Sequence, residues 1–503
     1  MEILEPEARD VERATDAFAA ALGDDAVITD LQTLREFRDP FAYKQSDEWD
    51  ASAMVMPSST EEVQAVVRIA NEHRVPLWTF SQGRNNTYGG AAPRVRGSIL
   101  VNLRSMNRVL EVNEELAYAV VEPGVRWFDL FDALEEAGGR LWTSIPDLGW
   151  GSVIGNSTEY GRGYTTYGDH AENVCGMEVV LPDGSLVHTG MSAMSGSRSA
   201  HVYRHAFGPQ LQGLFFQSGL GIVTQMGFWL QRRPEVYASC WLSFAGQGSL
   251  KATVDHLREL MLDGTITNYP VLLRGMRMDE DGTPHFEPDS NRWLARFALY
   301  GREEIVESNY AACERAFGSL DGMEMRRRTY SGTDRDVYEN HEDRVMAGVP
   351  DMDLIELFKI PYGEDTAHLD FSPVGPLVGE EVVETADLVR SLYEETGQQY
   401  FSGLLMSPRS VIHISTTFFD PHDEDQTRTT YENYASMVKL MAGRGYPVYR
   451  TSLSQMDLVS SQFDRDDHAL MRLNEKLKDA LDPNGILQPG KSGIWHRRYR
   501  GDA

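Results

Sequence analysis

Across 503 residues, 76 Asp and Glu against 47 Lys and Arg leave a formal charge of −29, a balance that repels a nucleic-acid backbone and an anionic bilayer. Hydrophobic residues make up 41% and charged residues 24%, the composition of a folded globular chain, and the length suits two large lobes or about three ordinary domains. Three scattered cysteines, Cys175, Cys240 and Cys313, give neither a disulfide framework nor a metal-ligand spacing and fit a reducing compartment. The acidic MEILEPEARDVERATDAF start lacks the basic and then apolar order of a secretory leader, and no later apolar run reaches membrane-spanning length. A cytoplasmic protein is expected.

From Ala51 the pattern reads strand, helix, strand. Apolar AMVM comes first, then a capping box from Ser59 and Glu62 opens a helix with Val63, Val66, Val67 and Ala70 on one face. VPLWTF delivers the chain into TFSQGRNNTYGG, Thr79 to Gly90, whose glycines permit positive φ and close backbone approach. Successive bare amides there form an anion concavity, with Arg84 as a charged donor; the segment alone also reads as a plain turn. SILVNL, a hairpin across RVLEVNEELAYAVVEPG and a helix through WFDLFDALEEA ending at Gly138 and Gly139 follow.

A second loop-rich zone runs from Pro146 to His170 with no room for a useful helix, and the Asp183-Gly184 hairpin comes next. QSGLGIVTQMGFWL again places glycines before an alternating strand and closes the first lobe near residue 236. Strand and helix patterns then recur in CWLSF with LKATVDHLRELML, RFALY with EEIVESNYAACERAF, and HLDF with EEVVETADLVRSLYEE, giving one or two sheets covered by helices. A helix in YENYASMVKLMAGRG, a strand in VYRTSL and a helix in NEKLKDAL complete the chain. GILQPGKS, Gly485 to Ser492, spells a phosphate-binding P-loop, but it follows a helix rather than a strand and only eleven residues remain after it, so an NTPase is rejected.

Taken in order, GRNNTYGGAAPRV, VVEPGV, PDLGWGSVIGN, GYTTYGDH, GIVT, YRT and DPNGILQPGKSGIW resemble the vanillyl-alcohol oxidase and 4-cresol dehydrogenase family of flavoproteins, nearest its eugenol-oxidising members, over about Asp39 to Trp495. The resemblance implies an α+β fold: a two-subdomain FAD-binding lobe plus an α/β substrate cap. Lobe and cap are expected at 1–236 and 237–445, with 446–503 returning to the FAD lobe. No GxGxxG opens a helix, which argues against a dinucleotide fold of the Rossmann type.

By the same resemblance, Ser81, Gln82, Gly83, Arg84, Asn85, Asn86, Pro146, Asp147, Leu148, Gly151, Ser152, Gly155, Asn156, Gly221, Ile222 and Val223 enclose FAD. Arg450 and Lys491 balance negative charge on its reduced ring. Alternation in SVIHISTTFFD puts Val411, His413, Ser415 and Thr417 on one face and Ile412, Ile414 and Phe418 on the other. Counting on from Phe371-Ser372-Pro373, the resemblance implies His413 as the residue bonded to the flavin 8α-methyl group. A second histidine that assists this bond in the family is replaced by Phe41, and Ser452 stands where relatives have histidine.

Tyr88, Tyr449 and Arg450 match the trio that grips a phenol oxygen, Asp147 the carboxylate beside flavin N5, and Tyr164 a pocket tyrosine. The activity implied is FAD-dependent oxidation of para-substituted phenols through a quinone methide, with O2 as acceptor and peroxide as product. The rivals are a dehydrogenase feeding a cytochrome and a flavin-binding protein without turnover. A homodimer or higher homo-oligomer is expected, with no nucleic-acid or membrane partner and no metal.

Overall fold

The computed structural model describes residues 4–39, 49–84, 88, 90–278, 284–287, 290–334, 337–338, 340–359 and 361–500; Phe41, Asn85 and Asn86 lie outside the described residues. A four-stranded sheet holds parallel strands Ala53–Val55, Ile99–Asn102 and Leu77–Phe80, with Val27–Ile28 antiparallel at its edge. Helix Thr60–His73 starts where Ser59 accepts a hydrogen bond from the Glu62 amide, and it buries Val63, Val66, Val67 and Ala70 against that sheet. The glycine loop therefore leaves the carboxyl end of a strand with Leu77, Trp78 and Phe80 buried.

An antiparallel five-stranded sheet follows in the order Val109–Asn113, Tyr118–Val121, Ile222–Trp229, Val174–Val180, Leu186–His188. Gly184, at φ 80°, makes its last turn. The loop-rich zone contains one short helix after all, Val153–Thr158, capped by Ser152 on the Gly155 amide at 3.0 Å. Six residues are too few to show a hydrophobic period among so many glycines.

The large cap sheet is antiparallel, in the order Glu324–Ser331, Val236–Ala245, Arg292–Gly301, Val271–Arg274, Tyr400–Met406, Ser410–Phe419, Ala367–Phe371, with Val374–Pro376 also pairing with Ser410–Phe419. Helices Gln247–Leu262, Glu303–Phe317, Gly379–Thr396 and Glu424–Gly443 cover one face. The other face packs Trp241, Val271, Leu273, Leu405 and Ile412 toward Trp142, Ile154 and Tyr164 of the first lobe. The ligand space lies between a sheet and the loops of the FAD lobe.

After helix Arg465–Leu481 the chain returns to the first lobe. The Leu77 amide donates to Ile486 O at 2.7 Å and the Gln488 amide to Leu77 O at 2.8 Å, while Ile486 and Leu487 join the core around Val63. Lys478 and Asp482, both fully buried, pair at 2.8 Å and clamp this return. VYRTSL is not a strand: its only ladder contact is Val448 to Pro373, and the backbone then turns inward to aim Tyr449 and Arg450 at the cavity. No helix among the described residues is long and apolar enough to cross a membrane, and all three cysteines are buried and unbonded.

Candidate active site

A cavity of about 420 Å³ runs from the loop after strand Leu77–Phe80, past the loop before helix Val153–Thr158, to the cap sheet. Ser81, Gln82, Gly83, Arg84, Pro146, Asp147, Leu148, Gly151, Ser152, Gly155, Asn156, Gly221, Ile222, Val223 and Lys491 all line it, as do Tyr88, Tyr164, Tyr449 and Arg450. Gly83 has φ +61°, and a Cβ at Gly155 would collide with Ser81 Oγ. At Gly221 a Cβ would lie 2.5 Å from Val179 Cγ1. Small residues here keep the backbone itself as the wall.

Among the described residues, the amides of Ser81, Gln82, Gly83, Gly151 and Ser152 donate to no protein atom. Bare donors at two facing loops suit an extended dianion such as a pyrophosphate, and the apolar stretch of Ile222, Val223, Ile414 and Leu405 suits a flat ring system. FAD fits this wall. Arg84 stacks over Trp150 at 5.6 Å, and Lys491 Nζ is held by Glu159 at 2.7 Å, so its charge is already countered.

At the cap end, Tyr88 and Tyr449 stand edge to face with centroids 6.2 Å apart, and the Arg450 guanidinium lies 4.4 Å from the centre of the Tyr88 ring. Tyr88 Oη shares a 2.5 Å hydrogen bond with Ser372 Oγ. Burial and then the neighbouring Tyr449 push the Tyr88 phenol well above its ordinary pKa, so it remains a donor. Two hydroxyls and a guanidinium whose Nε is buried without a protein partner form a donor set of the kind an oxyanion requires.

Asp147, on the loop after Pro146, accepts from Tyr164 Oη and lies 3.6 Å from both Arg296 and His341. Burial works to raise its pKa, but the His341 contact and the Arg296 charge overcome that and hold it below the usual carboxylate range. The guanidinium of Arg296, itself paired with Glu342, lies 4.3 Å from the centre of the Tyr164 ring. Burial, then the Asp147 charge, drives Tyr164 well upward. An ionised carboxylate thus stands between the cavity-lining Arg296 guanidinium and the His341 ring behind it.

His413 does not reach this space. Its Nε2 shares a 2.8 Å hydrogen bond with Ser402 Oγ, and its other neighbours are Val374, Val382 and Tyr446 under the covering helices. The alternation along strand Ser410–Phe419 is as expected, but Ile414 and Thr416, not His413, face the cavity. The physical reason is that a flat aromatic ligand wants the bulky apolar face, while the small polar face is satisfied by hydroxyls within the sheet.

The imidazole on the cavity side is His368. It sits opposite Phe418 on strand Ala367–Phe371, two residues before cavity-lining Asp370, with its ring 4.6 Å from Phe358. The same alternation applied to HLDFS would have found His368, Asp370 and Ser372 together. No local signal marks Arg296, Glu342 or His341, which come from distant cap segments.

A chain with this cradle and this oxyanion site is a flavoprotein oxidoreductase. Residues 51–190 match the model of an FAD binding domain. The chain is 31% identical over 504 residues to the 4-cresol dehydrogenase [hydroxylating] flavoprotein subunit of Pseudomonas putida, covering 96% of this chain and 95% of that one. Its fold superposes on 4-ethylphenol oxidase from Gulosibacter chungangensis in an isoeugenol complex with a TM-score of 0.91 and 32% identity, covering 99% and 100% of the two chains. Against p-cresol methylhydroxylase with substrate bound the TM-score is 0.89 at 29% identity, covering 98% and 99%. The chain belongs to the vanillyl-alcohol oxidase/p-cresol methylhydroxylase family.

Proposed function

We propose that the protein oxidises para-substituted phenols, including 4-alkylphenols and 4-hydroxybenzyl alcohols, and passes the electrons to O2 as peroxide. The observation that carries this reading is the meeting of Tyr88, Tyr449 and Arg450 at one end of the FAD cavity with Asp147 also on its wall. Arg450 and the two tyrosine hydroxyls hold the substrate as phenolate, which raises electron density at the para carbon. Bound FAD supplies the hydride acceptor. Loss of hydride from the benzylic carbon leaves a quinone methide, and Asp147 takes the proton from the water that adds to it or from the hydroxyl of a benzylic alcohol.

For the flavin bond, His368 replaces His413 as the attacking imidazole, since it lies on the face of the cap sheet that the cavity shares. The similarity to an oxidase of 4-ethylphenol and the histidine tether favour O2 as acceptor. The near-full-length likeness to a 4-cresol dehydrogenase supports the rival in which a cytochrome takes the electrons. Peroxide formed in step with phenol consumed under air supports the oxidase; turnover that needs an added electron acceptor supports the dehydrogenase. Peptide mass mapping of the denatured protein reads the tether: flavin on the peptide containing His368 is expected, and flavin on that of His413 contradicts the assignment.

A further inference from the structure

His341 opens the short helix His341–Met346, and the loop after it carries Asp351 back against the loop of Gly149. Its Nδ1 lies 2.6 Å from Asp351 Oδ1 and its Nε2 3.6 Å from Asp147 Oδ1, so one ring joins two carboxylates. Asp351 also accepts from Arg344 Nε at 2.6 Å. Only Asp147 faces the cavity.

This arrangement is pinned from both lobes. The Gly149 amide, two residues beyond Asp147, donates to Asp351 O at 2.9 Å, and Thr143 Oγ1 donates to Gly348 O at 2.7 Å. Tyr300 Oη donates to Met346 O at 2.6 Å, and buried Asp343 accepts from Tyr330 Oη at 2.8 Å. A Cβ at Gly149 would press on Phe128 and Pro350 at 2.7 Å, so the loop bearing Asp147 and the loop bearing Asp351 touch without slack.

We propose that Asp351, His341 and Asp147 form a proton relay, with His341 as the resting place of the proton that leaves during hydration of the quinone methide. Nδ1–H donates to Asp351, which fixes the tautomer and leaves the Nε2 lone pair toward Asp147. In the step, water oxygen bonds to the benzylic carbon and one water O–H bond breaks. The proton passes through the Asp147 carboxylate to Nε2, the ring carbonyl becomes phenolate again, and the imidazolium later releases the proton to solvent.

Charges around the ring agree with this direction. Burial opposes a charged imidazole, but the two carboxylates overcome it and raise His341, while the same contacts lower Asp147 and Asp351. A proton shared by the pair therefore rests on nitrogen. Among the described residues, the other charged groups around the set are Arg296, Arg344, Glu342 and Asp353, of which Glu342 is turned onto Arg296 and Asp353 onto Arg344.

The inference rests on the phenol reading, and its test separates the two. With 4-methylphenol the quinone methide has water addition as its outlet. In H341Q holoenzyme, the quinone-methide absorbance that follows anaerobic flavin reduction is expected to decay at least tenfold more slowly than in wild type and to lose its dependence on pH. D351N is expected to slow the decay less and to lower the His341 titration midpoint seen by NMR of labelled histidines. Decay at the wild-type rate in both variants would overturn the relay. Failure of wild type itself to bleach would sink the phenol reading instead; the titration still decides, because a His341 midpoint unmoved by D147N also overturns the relay.

Discussion

Replacing Arg450 with methionine keeps much of the side-chain length and removes the charge that lies 4.4 Å from the centre of the Tyr88 ring. Among the described residues Arg450 forms no ion pair with a carboxylate, so its charge is available to a bound oxyanion. Two unit charges about 4 Å apart at an effective dielectric of about 20 interact by ~4 kcal/mol. At ~1.4 kcal/mol per pK unit this corresponds to a bound phenol whose pKa rises by about 3 in R450M. Reduction by a 4-alkylphenol near neutral pH should then slow by about 10³ and recover toward alkaline pH as the phenol ionises unaided. The assay is a pH titration of a bound para-substituted phenol whose phenolate absorbs visibly, run on both proteins. Equal bound pKa values would refute the claim that Arg450 creates the phenolate.

Gly155→Ala should cost most of the bound FAD, because the new methyl meets Ser81 Oγ at the cradle; flavin-to-protein absorbance after gel filtration measures it. Lys478→Met strands buried Asp482 and leaves Gly219 O and Leu487 O short of a donor, so urea unfolding should show a loss of about 3–5 kcal/mol. Burial lowers His413 to about 4, against 6.5 for a free histidine. Its contribution to stability is therefore present above 6.5 and lost as pH falls toward 4, at ~1.4 kcal/mol per pH unit. Wild type should lose about 2 kcal/mol more than His413→Asn between pH 6.5 and 5 in urea titrations.

The chain's pattern made the first lobe legible because local rules sufficed there. The Ser59 cap, the Asp183-Gly184 turn and the buried strand before Ser81 each announce themselves within a few residues. The meeting of Tyr88 with the Tyr449-Arg450 pair was legible as a resemblance, and the cavity does bring the three together from either end of the sequence. What alternation could not supply was the sign of a face. It separated His413 from Ile414 correctly, yet which side meets the ligand depends on helices Gly379–Thr396 and Glu424–Gly443 covering the other. Arg296 and His341 were silent for a related reason: each acts only because its strand or short helix is carried across the sheet to Asp147.

On the proposed function, an ionised phenol is held against FAD by Tyr88, Tyr449 and Arg450. Anaerobic mixing of the yellow holoprotein with 4-ethylphenol, followed in a stopped-flow spectrometer, tests it most directly. Rapid loss of the oxidised flavin band is expected, slowed by about 10³ in R450M near neutral pH. A flavin that stays yellow with this and other para-substituted phenols, while dithionite still bleaches it, would contradict the account.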